Sequence, residues 1–304
     1  MMRIHSASSK RPAFTLVELM VVLLILVTMV SLIGSAVVKS MDKLTEMQTR
    51  KEISEMEVAF RAFMADYGLT EPPPTYLLLS EADPINKNKT GQTDGLTAAF
   101  LEKLFGHNLG PTDWNGDGKI IGGTFLKGSQ CLVFYLGGIP NSAAVLGGAA
   151  PAPQGFSTNN MKPSYGSMPG ETMGKRKGPY FNFAATRLYL PRQQVLPPGD
   201  GFFWYLDPWM TKSGNLYLTM GGSPYIYYSY AGINGQWPIT ADSGANPYKT
   251  ADGQYTNPNT FQIISAGKDG WFGLGLWNPL SGATGTGADD QANFSATLLG
   301  AGQN

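Results

Sequence analysis

The hydrophobic pattern changes character twice along this chain, and each change marks the edge of an element. From Phe14 to Val38 the sequence is apolar almost without interruption, with Glu18 as its one ionisable side chain. At about 1.5 Å per residue such a run exceeds the ~30 Å hydrocarbon core of a bilayer, so it predicts a membrane-spanning helix. Beyond it the pattern turns amphipathic. Ile53, Met56, Phe60, Phe63, Met64 and Tyr67 recur at three- and four-residue steps and share one helical face. Glu46 with Arg50, and Glu57 with Arg61, stand at supportive i,i+4 spacing away from that face. Gly68 supplies a cap and Pro72-Pro73-Pro74 forbids continuation, so one helix is expected from about Phe14 to Tyr67.

After the triple proline the helical period fades, and turn residues separate short apolar runs. A short helix is expected near Leu96–Phe105. Strands are expected at Gln130–Leu136, Phe202–Leu206, Tyr217–Met220, within Pro224–Tyr230 and at Phe261–Ser265. Connections this short or irregular favour antiparallel pairing. Residues 140–200 read as a long insertion, rich in Gly, Pro, Ser and Met over its first part. The expected fold class is α+β: a long N-terminal helix, membrane-spanning and then amphipathic, packed on an antiparallel sheet with long loops. The expected divisions are a polar leader over 1–13, a membrane half of the helix over 14–38, an amphipathic half over 39–68, and a β-rich globular domain over 69–304.

Composition narrows the function. Lys+Arg and Asp+Glu are equal at 22 each, so no net field gathers nucleic acid. The 38 glycines and 21 prolines suit a loop-rich, exported β domain. Cys131 is the single cysteine, within the apolar run Gln130–Leu136. It excludes an internal disulfide and a Cys metal cluster, and it reads as a buried structural thiol. The two histidines, His5 and His107, cannot form a zinc cluster. The chain has no nucleophile elbow, phosphate loop or dinucleotide fingerprint. A non-catalytic role is expected.

Arg3, Lys10 and Arg11 precede the apolar run, which holds the N-terminus in the cytoplasm and sends the remainder across the membrane. A secretory signal places its small cleavage residue after the apolar core. Here the small residue, Ala13, comes before it, so cleavage at that point leaves the helix on the mature protein. That order, with Lys10-Arg11-Pro12-Ala13 followed by Phe14-Thr15-Leu16-Val17-Glu18-Leu19, resembles the start of type IV prepilins and type II secretion pseudopilins. The resemblance implies cleavage between Ala13 and Phe14 by a prepilin peptidase, methylation of the Phe14 amine, and a role in assembly for Glu18, the fifth mature residue. The family usually carries Gly where this chain has Ala13. Glu18 also has a physical rationale. A carboxylate inside a membrane segment costs about 2.5–3.5 kcal/mol, and pairing it with the new amine of Phe14, in the same or a neighbouring subunit, offsets that cost.

Two later segments resemble the major, G-type pseudopilin. One is Asp207-Pro208-Trp209 with the Tyr-rich stretch Pro224–Tyr230; the other is Ser265-Ala266-Gly267-Lys268-Asp269-Gly270 with Asp289-Asp290. The second implies calcium, held by Asp269, Asp289 and Asp290 with carbonyls near Ser265 in an all-oxygen shell. A separate stretch, Asp113 to Ile120, matches the first eight positions of an EF-type loop, with Asp113, Asn115 and Asp117 as ligands. Thr124 stands where a bidentate Glu belongs. Ordinary turn chemistry accounts for the same Asn-Gly and Asp-Gly dipeptides. The resemblance covers about residues 10–70 and 200–295. It implies a structural subunit of a type II secretion pseudopilus or type IV pilus-like filament, anchored in the inner membrane. Its expected partners are further copies, other pseudopilins, the prepilin peptidase, the inner-membrane assembly platform and membrane lipid. The alternative is a minor pilin whose exported domain binds a ligand or surface.

Overall fold

A computed structural model of the chain describes residues 15–85, 92–116, 119–120, 123–140, 153–159, 162–164, 174–189, 202–209, 223–230, 245–278 and 283–301. The chain is α+β and divides into two compact units, residues 1–46 and 47–304. Helix α1 (Leu16–Asp66) supplies residues to both. In the first unit its apolar side chains are exposed throughout, from Leu16 at 74% to Leu32 at 71%. This stretch is long and apolar enough to cross a membrane.

The second unit is built around the amphipathic half of α1. Ile53, Met56, Phe60 and Phe63 are 0–3% exposed, as their spacing predicts. Phe60 stacks on Tyr227 with ring centroids 4.6 Å apart and leans on Phe261 at 5.1 Å. Both rings come from an antiparallel sheet of β7 (Ile226–Ser229), β8 (Phe261–Ser265) and β9 (Gln291–Ala292). Ile226 pairs with Ile264 and Tyr227 with Ile263, and Ile264 pairs in turn with Ala292. Strand alternation then sorts the side chains. Tyr227, Phe261 and Ile263 join the α1 core, whereas Ile226, Tyr228 and Ile264 form a second cluster with Tyr248, Phe272 and Trp277. The sheet is therefore buried on both faces.

The helix stops as expected. Gly68 has φ +61°, its N–H reaches the Ala65 carbonyl at 3.2 Å, and the Leu69 N–H reaches Met64 at 2.8 Å, the paired bonds of a Schellman end. The proline run that follows cannot donate hydrogen bonds but accepts several. Tyr227 and Ser229 hydroxyls donate to the Pro73 carbonyl at 2.7 and 2.6 Å, and Tyr135 donates to Pro74 at 2.7 Å. These bonds fix the turn to the core in a chain without a disulfide.

Smaller antiparallel pairs complete the described residues: β1 (Leu77–Ser80) with β2 (Gly123–Leu126), β3 (Phe156–Ser157) with β4 (Arg176–Lys177), and β5 (Leu188–Tyr189) with β6 (Trp204–Tyr205). Helix α2 (Gln92–Phe105) falls where a short helix is expected. The strand expected at Gln130–Leu136 is instead helix α3 (Gly128–Gly137), and every residue of it is buried. A short apolar run has no period that separates a buried strand from a helix buried all round. Two local features decide for helix. The Gln130 side chain accepts the Lys127 N–H at 3.3 Å at the start, and Gly138, with φ +77°, ends it against Gly155. Gly128 lets the first turn abut β7, since a Cβ there would lie 2.1 Å from the Tyr227 carbonyl oxygen. The strand expected at Tyr217–Met220 lies outside the described residues.

The stretch read as an insertion is tied to the end of α3 by backbone bonds, from the Gly155 N–H to the Gly137 carbonyl at 2.6 Å and from the Tyr180 N–H to the Leu136 carbonyl at 2.7 Å. Lys177 donates to the Asp66 carbonyl at 3.0 Å, a cation on the C-terminal turn of α1, and sits over the Tyr67 ring at 4.3 Å.

Candidate functional site

The first site residue stands at the start of α1. Thr15 is the N-cap: its hydroxyl accepts the Glu18 N–H at 3.3 Å, and Glu18 Oε2 accepts the Thr15 backbone N–H at 2.8 Å. The Thr15 hydroxyl also donates to the same carboxylate oxygen at 2.8 Å. This reciprocal arrangement is a capping box, and the Thr-x-x-Glu spacing in the sequence carries its signature. Glu18 therefore has a local task, satisfying the first orphan N–H groups of the helix, besides the assembly role implied by resemblance. Ala13 and Phe14 lie outside the described residues.

A second constellation was missed by sequence reasoning. Glu52, on the buried face of α1, meets Arg187 in a two-pronged ion pair, with Nη2 to Oε1 at 2.6 Å and Nη1 to Oε2 at 2.9 Å. Both residues are 8% exposed. Tyr225 donates to Glu52 Oε2 at 3.0 Å, while Arg187 also donates to the Leu206 carbonyl at 3.2 Å and to the Tyr205 hydroxyl. The guanidinium lies over the Tyr205 ring at 4.4 Å. Burial alone pulls its pKa down; the hydrogen bonds and charge of Glu52 outweigh burial and lift it above its ordinary value. Glu52, Arg187 and Tyr205 line a cleft of about 600 Å³ together with Gln48, Glu55, Tyr180 and Asn182. Glu52 is one acid on a helix face and Arg187 lies 135 residues away, so no local spacing reveals the pair.

The C-terminal acids are brought close and have different partners. Asp289 Oδ2 accepts the Asp269 N–H at 2.8 Å, and Asp269 Oδ1 accepts the Trp271 N–H at 2.7 Å, so both brace the turn at 267–270. Asp290 points inward and is fully buried. Its Oδ2 accepts the Tyr248 hydroxyl and, at 3.0 Å, the Gly273 N–H, whereas Oδ1 has no hydrogen-bond partner. Burial pushes its carboxyl up to about 7. The bonds from Gly273 and Tyr248 pull it back, and the charges of Asp289 and Asp269 add to the rise. The Ser265 hydroxyl is committed elsewhere, donating to Asp207 at 2.6 Å and accepting the Gly267 N–H at 3.2 Å.

In the half EF-type loop, Asp113 Oδ1 accepts the Gly116 N–H at 2.7 Å, and Asp113, Trp114 and Asn115 are buried. The Trp114 indole donates to the Ser80 carbonyl at 3.0 Å. The described part is an Asx-type turn sealing the core; Asp117 lies outside the described residues. Among the described residues, no three His, Cys, Asp or Glu side chains gather as a metal-holding group. No family model, no curated protein and no solved structure matches this chain.

Proposed function

We propose that this chain is a pilin-like filament subunit, trimmed before Phe14, anchored by the apolar half of α1 and acting by assembly rather than by chemistry. One observation carries the reading. A single helix begins with an acid-bearing turn, continues through an exposed apolar stretch long enough for a membrane, and ends as the core helix of a folded unit. Such a helix suits a subunit that waits in lipid and then packs against copies of itself. The mature protein in membrane fractions is expected to begin at Phe14 with a methylated amine; N-terminal mass spectrometry reads this, and a chain still beginning at Met1 rejects it.

The capping box provides a sharper test of Glu18. Gln at that position keeps a side-chain acceptor for the Thr15 N–H but removes the charge. Glu18→Gln is expected to enter the membrane as well as the parent, since a costly charge is gone, and to lose filament yield on the order of tenfold or more. Glu18→Leu removes the cap as well. Filament yield that survives in the Gln variant and fails in the Leu variant assigns Glu18 to helix capping, and the pairing with the Phe14 amine falls.

Calcium at the C-terminal loop is favoured by the orphaned Asp290 Oδ1, a fully buried carboxylate oxygen without a donor. The residues that would hold it are Asp269, Asp289 and Asp290 with carbonyls near Ser265. A hard cation there would have to draw the three carboxylates together, since they do not gather as they stand, and would then order the loop.

A further inference from the structure

The cleft beside the Glu52–Arg187 pair has the make-up of a ligand site, and assembly makes no use of it. Its volume of about 600 Å³ falls among those of small-molecule sites. Its lining is fixed before any ligand arrives. Glu52 and Arg187 hold each other through two bonds, and Arg187 also holds the Tyr205 hydroxyl. Gln48 joins them, its amide N–H donating to Glu52 Oε1 at 3.1 Å. The half-buried Tyr180 is locked as well: its hydroxyl donates to Asp66 at 2.9 Å, and its ring stands edge-on to Phe63 at 5.5 Å. Two exposed residues, Glu55 and Asn182, complete the polar lining.

Charge and hydrogen-bond capacity select the ligand. Both Nη atoms of Arg187 are fully engaged, by the two Glu52 oxygens, the Leu206 carbonyl and the Tyr205 hydroxyl. No Nη hydrogen is left for a phosphate or carboxylate, and an anion would also meet Glu52 and Glu55. A cation would meet the guanidinium, and Glu55 already faces Lys51 at 3.5 Å. An extended peptide adds to a free backbone edge. Here the Tyr180 and Phe181 N–H groups are both given to the Leu136 carbonyl, at 2.7 and 3.3 Å. The remaining capacity suits a neutral molecule rich in hydroxyls. The Gln48 carbonyl oxygen and the Glu55 carboxylate accept, the Asn182 amide both donates and accepts, and Tyr180 offers an aromatic ring to the C–H face of a sugar.

We infer that this cleft binds a short neutral saccharide, held by Gln48, Glu55 and Asn182 against Tyr180. The binding does not depend on assembly. The test titrates the full chain, in a detergent without a sugar headgroup, with maltotriose, cellotriose and chitotriose, read by saturation-transfer NMR. At least one of the three is expected to bind. Asn182→Ala and Glu55→Ala, both at exposed positions, are each expected to weaken it about fivefold, the loss of one hydrogen bond, with the melting temperature unchanged. Absence of binding by all three overturns the inference, as does binding that both variants leave intact. Binding only of anionic trigalacturonate, or only of N-acetyl-trialanine amide, overturns it too, since the cleft then selects charge or peptide.

Discussion

Glu52→Ala is expected to lower the stability of the second unit by about 3–5 kcal/mol, measured by denaturant unfolding of a soluble fragment beginning at Lys39. The cost does not come from losing a strong attraction. A buried ion pair spends most of its Coulomb energy on the desolvation of both partners. The loss arises because Arg187 stays behind, 8% exposed, with its charge uncompensated and the Tyr225 hydroxyl without its acceptor. Water can enter the adjoining cleft and soften the penalty, which places the expectation nearer the lower figure. The double variant Glu52→Met/Arg187→Met should recover much of the loss, because no buried charge remains. A double variant as unstable as Glu52→Ala would show that the site depends on its hydrogen bonds and shape, not on paired charge.

This pair also shows where the sequence stops being legible. Helix α1 is written in local periodicity, and the strands at Ile226–Ser229 and Phe261–Ser265 in β-forming residues set between turn residues, so they can be read directly. The helix end is equally local: Gly68 and three prolines leave the backbone no alternative. Where the signal is an unbroken apolar run, as at Gly128–Gly137, burial on all sides erases the period, and a strand is read where a helix forms. The functional residues divide the same way. The Thr15–Glu18 box joins residues three positions apart and was available as a spacing. The Glu52–Arg187 contact and the Asp290–Tyr248 contact join residues 135 and 42 positions apart. Only the fold creates such pairs, and composition cannot announce them.

The Asp290 contact leads to the second large effect, a stability that falls as pH rises. With its folded pKa near 7 and an ordinary value near 3.9, this carboxyl holds its proton in the folded unit over a range where the unfolded chain has released it. Its stabilising contribution is complete below about pH 4 and is lost as pH climbs through 7. Three units correspond to about 4 kcal/mol at most, or roughly 10 °C in melting temperature for a unit of this size. In chelator, the Lys39 fragment should therefore melt lower at pH 8 than at pH 5, and Asp290→Asn should remove most of that slope. Other acids contribute the opposite slope at lower pH, so the difference between parent and Asn variant is the quantity to compare. Calcium turns the same measurement into a test of the loop. Cation and proton compete for the carboxylate, so calcium should stabilise more at pH 8 than at pH 5 and flatten the fall. At a hundredfold excess over Kd the gain is about 2.7 kcal/mol. If the two curves superimpose at every pH while the slope in chelator persists, Asp290 is a buried acid braced by Tyr248 and Gly273, and the loop holds no calcium.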